Sequence, residues 1–270
     1  MVGGWLRNSR AANARIESRR SMLRIPAPQW TARMADGRRV YAVGDVHGRA
    51  DLLGALLSQI HNDIERSRGD GVVPTIVFLG DYVDCGLESR ACIDRLIELY
   101  RGPIEVHFLK GKHDAALLGF LERPAKGGAW LRKGGRETLF SYGVNAPSAL
   151  AGPRELTRVA DALRAAMPRE HLVFLRALKL HVLFGDYVFV HAGLKPGVEL
   201  DAQQERDMLN IREPFLSSRE QRSFVVVHGN TPVERFHRDQ HRIGVDTGAH
   251  ATGRLSAVCL HGLSVRLLST

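Results

Sequence analysis

Residues 44–48 read Gly-Asp-Val-His-Gly and residues 80–84 read Gly-Asp-Tyr-Val-Asp, each directly after an apolar run, Val40–Val43 and Thr75–Leu79. A third run, Ile104–Leu109, ends in Gly111-Lys112-His113-Asp114. A lone histidine after a strand is usually a satisfied structural residue. Carboxylates and imidazoles after three successive strands are harder to explain blandly, because buried strand-end charges need partners. Hard carboxylate oxygens beside imidazoles suit a divalent metal ion. Such a site is suited to phosphoester hydrolysis.

Those residues must be positioned by strands that point the same way. The strand at 39–44 precedes 49–66, where Leu52, Leu53, Leu56, Leu57, Ile60 and Ile64 fall at helical spacing. That stripe reads as core. The strand at 75–79 precedes a second helix over 88–100, and 104–109 leads into a short helix near His113. Parallel strands with crossover helices follow, with the ligand site at their carboxyl ends. Helices are expected at 154–167 and 169–178. Later apolar segments at 180–184, 187–191, 223–227, 242–245, 255–260 and 264–268 are separated by Gly-containing turns. That second half reads as mostly antiparallel. The fold class is α/β, two facing mixed sheets flanked by helices.

The length of 270 residues suits one large domain. The chain carries a formal net charge of +9, but residues 1–39 hold nine Arg against Glu17 and Asp36, which places +7 of it in that stretch. The sequence therefore divides into a basic arm, 1–38, and a domain, 39–270. The arm reads first as a poorly ordered, solvated extension. Electrostatic docking on an acidic partner or nucleic acid and a targeting segment are the alternatives. Outside the arm, composition gives no reason to expect nucleic-acid binding. No apolar stretch approaches the ~18 residues of a membrane span. Three cysteines, an odd number, argue against a disulfide scaffold and for a reducing, cytoplasmic setting. Cys85 lies in a loop, which speaks against a metal or redox pair with Cys92.

Taken in order, Gly44-Asp45-Val46-His47-Gly48, Gly80-Asp81-Tyr82-Val83-Asp84, Gly111-Lys112-His113-Asp114, His191-Ala192-Gly193 and His228-Gly229-Asn230-Thr231-Pro232 resemble the motif set of the calcineurin-like metallophosphoesterases. Leu131–Leu139, Ile211–Leu216 and Arg242–Gly248 resemble the bacterial serine/threonine phosphatase branch of the phosphoprotein phosphatases. The resemblance spans roughly residues 39–268 and implies the calcineurin-like sandwich. It implies a two-metal site of the manganese, iron or zinc class: Asp45 and His47 on the first ion, Asp81 bridging, His191 on the second. His113 would be the general acid, oriented by Asp84, and Arg212 would grip phosphate oxygens. The implied partner is a phosphorylated protein or other phosphoester substrate.

The chain departs from that pattern at four positions. Lys112 stands where the family has Asn, and Asn230 where it has His, both ligands of the second metal. Cys85 replaces an arginine that grips phosphate, and Asn210 a tryptophan. The first site keeps its ligands, while the second keeps Asp81 and His191. An ammonium about 4 Å from a dication, at an effective dielectric of about 20, opposes it by about 8 kcal/mol. Even a third of that weakens binding roughly a hundredfold. Lys112 would alternatively serve as the second positive charge itself, or be a solvated loop residue. His228 and the Asn230 amide oxygen are substitute ligands to consider. Three functions follow: an impaired serine/threonine-type phosphatase, a pseudophosphatase that binds phosphorylated or acidic partners, and a dinucleoside polyphosphate hydrolase.

Overall fold

Apolar, β-branched runs bounded by glycine form the strands, and amphipathic stretches between them form the helices. The computed structural model describes residues 31–234 and 236–270. In the first sheet β1 (Arg38–Val43), β2 (Val73–Phe78) and β3 (Glu105–Phe108) run parallel, with Val43 opposite Phe78 and Phe78 opposite Phe108. Helices α1 (Ala50–Arg66) and α2 (Ser89–Tyr100) are the crossovers, and α3 (Lys112–Glu122) follows β3. Leu53, Leu56 and Ile60 of α1 are fully buried, as the stripe demands. Tyr41 and Val43 join this helix-side core. Val40 and Ala42 alternate with them and are equally buried, which requires a second layer on the other face.

That layer is a five-stranded sheet of order β4-β5-β6-β8-β7. Before it come α4 (Arg136–Ser141), α5 (Pro153–Ala166) and α6 (Arg169–Arg176). Its strands are β4 (His181–Phe184), β5 (Tyr187–Val190), β6 (Val225–His228), β7 (His237–Arg238) and β8 (Arg242–Gly244). Here the structure differs from the antiparallel reading. β5, β6 and β8 run parallel, with antiparallel β4 and β7 at the edges. The connection from β5 to β6 carries α7 (Glu205–Asn210), and its length permits a crossover. After the short α8 (Ala249–Thr252), β9 (Ser256–His261) and β10 (Ser264–Ser269) return to the first sheet beside β1. Both sheets are therefore mixed, flanked by helices.

The structure draws the fold's start earlier than position 39. One compact unit runs from Ala32 to Thr270. Met34 is 1% exposed, and its amide donates to Gly262 O in the β9–β10 turn at 2.8 Å. The Arg33 carbonyl accepts from Asp186 N at 2.9 Å, and the Arg33 amide donates to Asp186 Oδ2 at 2.8 Å, in the β4–β5 turn. The expectation of a solvated arm over residues 1–30 lies outside the described residues. Among the described residues no helix is long and apolar enough to cross a membrane.

Candidate active site

The polar strand-end residues converge at the carboxyl edge where the two sheets meet. Asp45 and His47 follow β1, Asp81 and Asp84 follow β2, and Lys112 and His113 open α3. His191 follows β5, Asn230 follows β6 and Asp246 follows β8. His47, Asp81, Asp84, Cys85 and Asn230 all have positive φ, between 46° and 72°. Non-glycine residues in that region cost energy and concentrate at functional sites.

Asp114 organises the loops. Its carboxylate accepts from the amides of Gly111, Asp81 and Tyr82 at 2.9–3.0 Å. Asp81 Oδ1 in turn accepts from the His113 amide at 2.8 Å. Asp81 Oδ2 is thereby left without a hydrogen bond in a fully buried side chain, and His191 Nε2 is likewise unpartnered. The two atoms lie 3.4 Å apart, and His47 Nε2 lies 3.6 Å from the same oxygen. His191 Nδ1 donates to Leu79 O at 2.9 Å and His47 Nδ1 to Val83 O at 3.2 Å. These backbone bonds fix the tautomers that aim a free Nε2 inward, as metal-ligating histidines require. Burial lowers the pKa of both rings and so favours the neutral form that offers a lone pair, while Asp81 opposes the shift.

The acids complete the fit to a cation. Burial, then the charges of Asp246 and Asp81, push Asp45 well above the usual carboxylate range. Burial also opposes charge on Asp81, but His191, His47, His113 and Lys112 together hold it low. A divalent ion relieves both the crowding of Asp45 and the orphaned atoms on Asp81 and His191. Donor atoms of Asp45, Asp81 and His191 lie within 4.8 Å of one another. The resemblance grouped His47 with Asp45 and Asp81. In the structure a second group within the same limit is His47, Cys85 and His113.

His113 Nδ1 donates to Asp84 Oδ2 at 2.8 Å. Burial opposes protonation of His113, yet this bond and the Asp81 and Asp84 charges raise its pKa. Burial raises Asp84 as well. Three donors, from His113, Trp130 Nε1 (2.9 Å) and Thr138 Oγ1 (2.6 Å), mark it as the anion of the pair. The Asp84 bond engages Nδ1 and favours the protonated ring, with Nε2 as its other donor.

Two substituted positions meet directly: Lys112 Nζ donates to Asn230 Oδ1 at 2.6 Å. The amide oxygen considered as a substitute ligand is therefore engaged by the ammonium. His228 is engaged too, with Nδ1 3.0 Å from Gly229 O, Nε2 3.5 Å from Arg242 Nη1, and its ring edge-on to Phe215. The exposed Arg212 donates to Asn230 O at 3.2 Å. Asn210 points elsewhere, donating to Arg206 O. Cys85 is half-buried, and burial with the Asp84 and Asp81 charges pushes its thiol up to about 12. Cys92 lies in the helix-side core.

Sequence reasoning passed over four neighbours of the site. Asp246, nearly buried, ends β8 and was discoverable by the same strand-end rule. The His250 ring lies edge-on to His47 at 5.0 Å between centroids. Trp130 reaches Asp84 from the connection before α4 and Thr138 from α4 itself, within the Leu131–Leu139 stretch quoted above for its resemblance alone.

A family model described as calcineurin-like phosphoesterase matches residues 38–255. The serine/threonine-protein phosphatase PP2A-like PPG1 of Saccharomyces cerevisiae is 40% identical over 79 residues, 28% of this chain and 19% of that protein. The chain thus spans about a fifth of that relative. The asymmetrical bis(5'-nucleosyl)-tetraphosphatase PrpE of Bacillus velezensis is 22% identical over 228 residues, 76% of this chain and 82% of that one. A crystal structure described as a candidate diadenosine tetraphosphatase superposes with a TM-score of 0.60 at 22% identity, covering 88% of this chain and 98% of its own. A cold-active protein tyrosine phosphatase gives 0.53 at 17% identity over 87% of this chain and 81% of its own. At these identities the superpositions show the shared fold.

Proposed function

The chain belongs to the calcineurin-like phosphoesterase family, and we propose that it hydrolyses phosphomonoesters in the manner of serine/threonine protein phosphatases, using one tightly held divalent ion of the manganese, iron or zinc class. The observation that carries this reading is the pair of orphaned buried atoms, Asp81 Oδ2 and His191 Nε2, 3.4 Å apart beside Asp45. Asp45, Asp81 and His191 would hold the ion, with His47 adjacent. When bound, the ion supplies Lewis-acid polarisation of the phosphoryl group and a water-derived nucleophile at neutral pH.

The chain's own residues do the rest. Lys112 replaces the second cation with a tethered single positive charge, kept in place by Asn230. Arg212 grips phosphate oxygens through its planar fork, which matches their geometry. His113 gives its Nε2 proton to the leaving oxygen, while Asp84 holds the ring at 2.8 Å and stabilises the charged form before transfer. Trp130 and Thr138 keep Asp84 from turning away.

Dinucleoside polyphosphate hydrolysis is a second reading. The bis(5'-nucleosyl)-tetraphosphatase aligns over 82% of its length, and the yeast protein phosphatase over 19% of its own. The test is manganese stoichiometry on the desalted chain together with turnover of p-nitrophenyl phosphate, a phosphoserine peptide and diadenosine tetraphosphate. One manganese per chain with turnover of the first two substrates is expected. Faster turnover of the dinucleotide than of the peptide would move the chain to the second reading. One bound ion without any turnover would make it a phosphate-binding pseudoenzyme.

A further inference from the structure

Arg222 and Arg242 are both largely buried, and neighbouring groups answer only part of their donor capacity. The Arg222 side chain is 14% exposed. Its Nε and Nη2 donate to Glu220 Oε2 at 3.0 and 2.7 Å, and Nη2 also to Lys195 O at 3.2 Å. Nη1, on the remaining edge, is buried without a partner. Arg242, at the start of β8, is 15% exposed. Its side-chain contacts are long: Nη1 to His228 Nε2 at 3.5 Å, and Nε to Asp239 Oδ2 at 4.0 Å. That carboxylate oxygen already serves His237 Nε2 at 3.0 Å and Arg219 Nη1 at 3.8 Å. Burial pushes the Arg242 guanidinium below its usual range, against the pull of Asp239. A guanidinium stays charged in a protein, so burial makes an acceptor necessary.

Both arginines line one small pocket. Phe215, Phe224 and Val226 are its apolar wall, with the Arg222 guanidinium 5.8 Å over the Phe224 ring. The pocket measures about 20 Å³, more than the roughly 10–15 Å³ that one water needs, and it excludes a bulky organic molecule. We propose that it binds a compact inorganic oxyanion of the phosphate or sulfate kind, at a site that shares no residue with the strand-end cleft. Guanidinium forks match the geometry of an oxyanion, with its several acceptors, better than that of a spherical halide. A water satisfies a donor but leaves two buried cations with one close carboxylate, Glu220, which is spent on Arg222. An oxyanion offers acceptors to Arg222 Nη1 and to Arg242 together. Ser218, on the same pocket, uses its Oγ to accept from the Glu220 amide at 3.2 Å and keeps its hydroxyl proton to donate.

The pocket stands behind a turn of the cleft. Arg242 touches His228, whose ring is edge-on to Phe215, and His228 leads through Gly229 to Asn230, the residue that holds Lys112. An anion that pins Arg242 therefore steadies that turn. Binding is read without turnover, so it stands apart from the hydrolytic reading.

The test is equilibrium dialysis of the full chain, stripped of divalent ions, against radiolabelled inorganic phosphate. Arg222→Gln is expected to bind one phosphate per chain fewer than the parent. The same loss is expected when Arg222→Gln is added to Arg212→Ala, because the cleft and the pocket are separate. Sulfate should displace this phosphate, and chloride at equal ionic strength should not. Ser218→Asp keeps an acceptor for the Glu220 amide and tethers a carboxylate at the pocket. It should also lose one phosphate, and its melting temperature should respond less to added phosphate than the parent's; this variant decides the matter should Arg222→Gln fail to fold. Parent-like phosphate stoichiometry in either folded variant, or displacement by chloride as effective as by sulfate, would overturn the proposal.

Discussion

Lys112 and Asn230 lie 118 positions apart, and their side chains meet at 2.6 Å. Each change from the family pattern supports the other. The ammonium needs an acceptor in a pocket that also holds imidazoles, and the amide oxygen needs a donor at 2% exposure. Reverting one alone should therefore harm the site. Lys112→Asn leaves a buried Asn230 whose Nδ2 already lacks a partner, a cost on the order of 1–3 kcal/mol. Asn230→His alone sets an imidazole against the ammonium. The double change rebuilds the donor set that the resemblance implies around Asp81 and His191. Aryl phosphatase activity in excess manganese should rise by more than the product of the two single effects. Bound manganese should go from one ion per chain to two. A double variant that matches the parent on both counts would locate the limit elsewhere.

At the scale of elements, the loops decide how well the acid is aimed. Trp130 lies between α3 and α4, in a connection whose sequence reads only as Gly- and Lys-rich. Its ring stacks on Phe120 at 4.6 Å between centroids, and its Nε1 donates to Asp84. Trp130→Phe keeps most of the stacking and removes the donor. Asp84 then relies on Thr138 and His113, and His113 loses aim. Turnover of alkyl phosphates, whose leaving group needs a proton, should fall more than turnover of activated aryl phosphates. Thermal unfolding should report a loss of about 1–3 kcal/mol. Equal losses on both substrates would take Trp130 out of the acid's support. Asp45, Asp81 and His191 were legible because apolar strands end directly before them, and parallel sheets place ligands there. Trp130 and Thr138 were not, because their partner Asp84 is 46 and 54 residues away. The parallel pairing of β5, β6 and β8 was equally hidden, since strand direction is set by the length and path of the connections. Asp246 was within reach and was quoted only as part of a motif.

At the scale of the molecule, residues 32–37 strap the two sheets together. The Met34 amide bonds the β9–β10 turn of one sheet, and both backbone polar groups of Arg33 bond the β4–β5 turn of the other. Tyr187 Oη donates to Ala32 O at 3.1 Å, and the Met34 side chain is buried. Charge and the expected strand at 39–44 placed the boundary at 38/39, because arginines 33, 38 and 39 continue the basic run past Asp36. Those three are part of the fold. A chain that starts at Ala32 should keep the parent's melting temperature within a few degrees. One that starts at Arg39 loses a buried methionine, the four hydrogen bonds just named, that of Val73 N to Gly37 O and the Arg38 bonds to Thr75, Glu105 and His261, about 3 kcal/mol or more. For a domain of this size that corresponds to roughly 6–12 °C. Met34→Ala in the full chain should reproduce a large part of the loss without removing any charge, which separates packing from electrostatics. Equal melting temperatures for the two truncations would show that the strap contributes nothing to holding the sheets together.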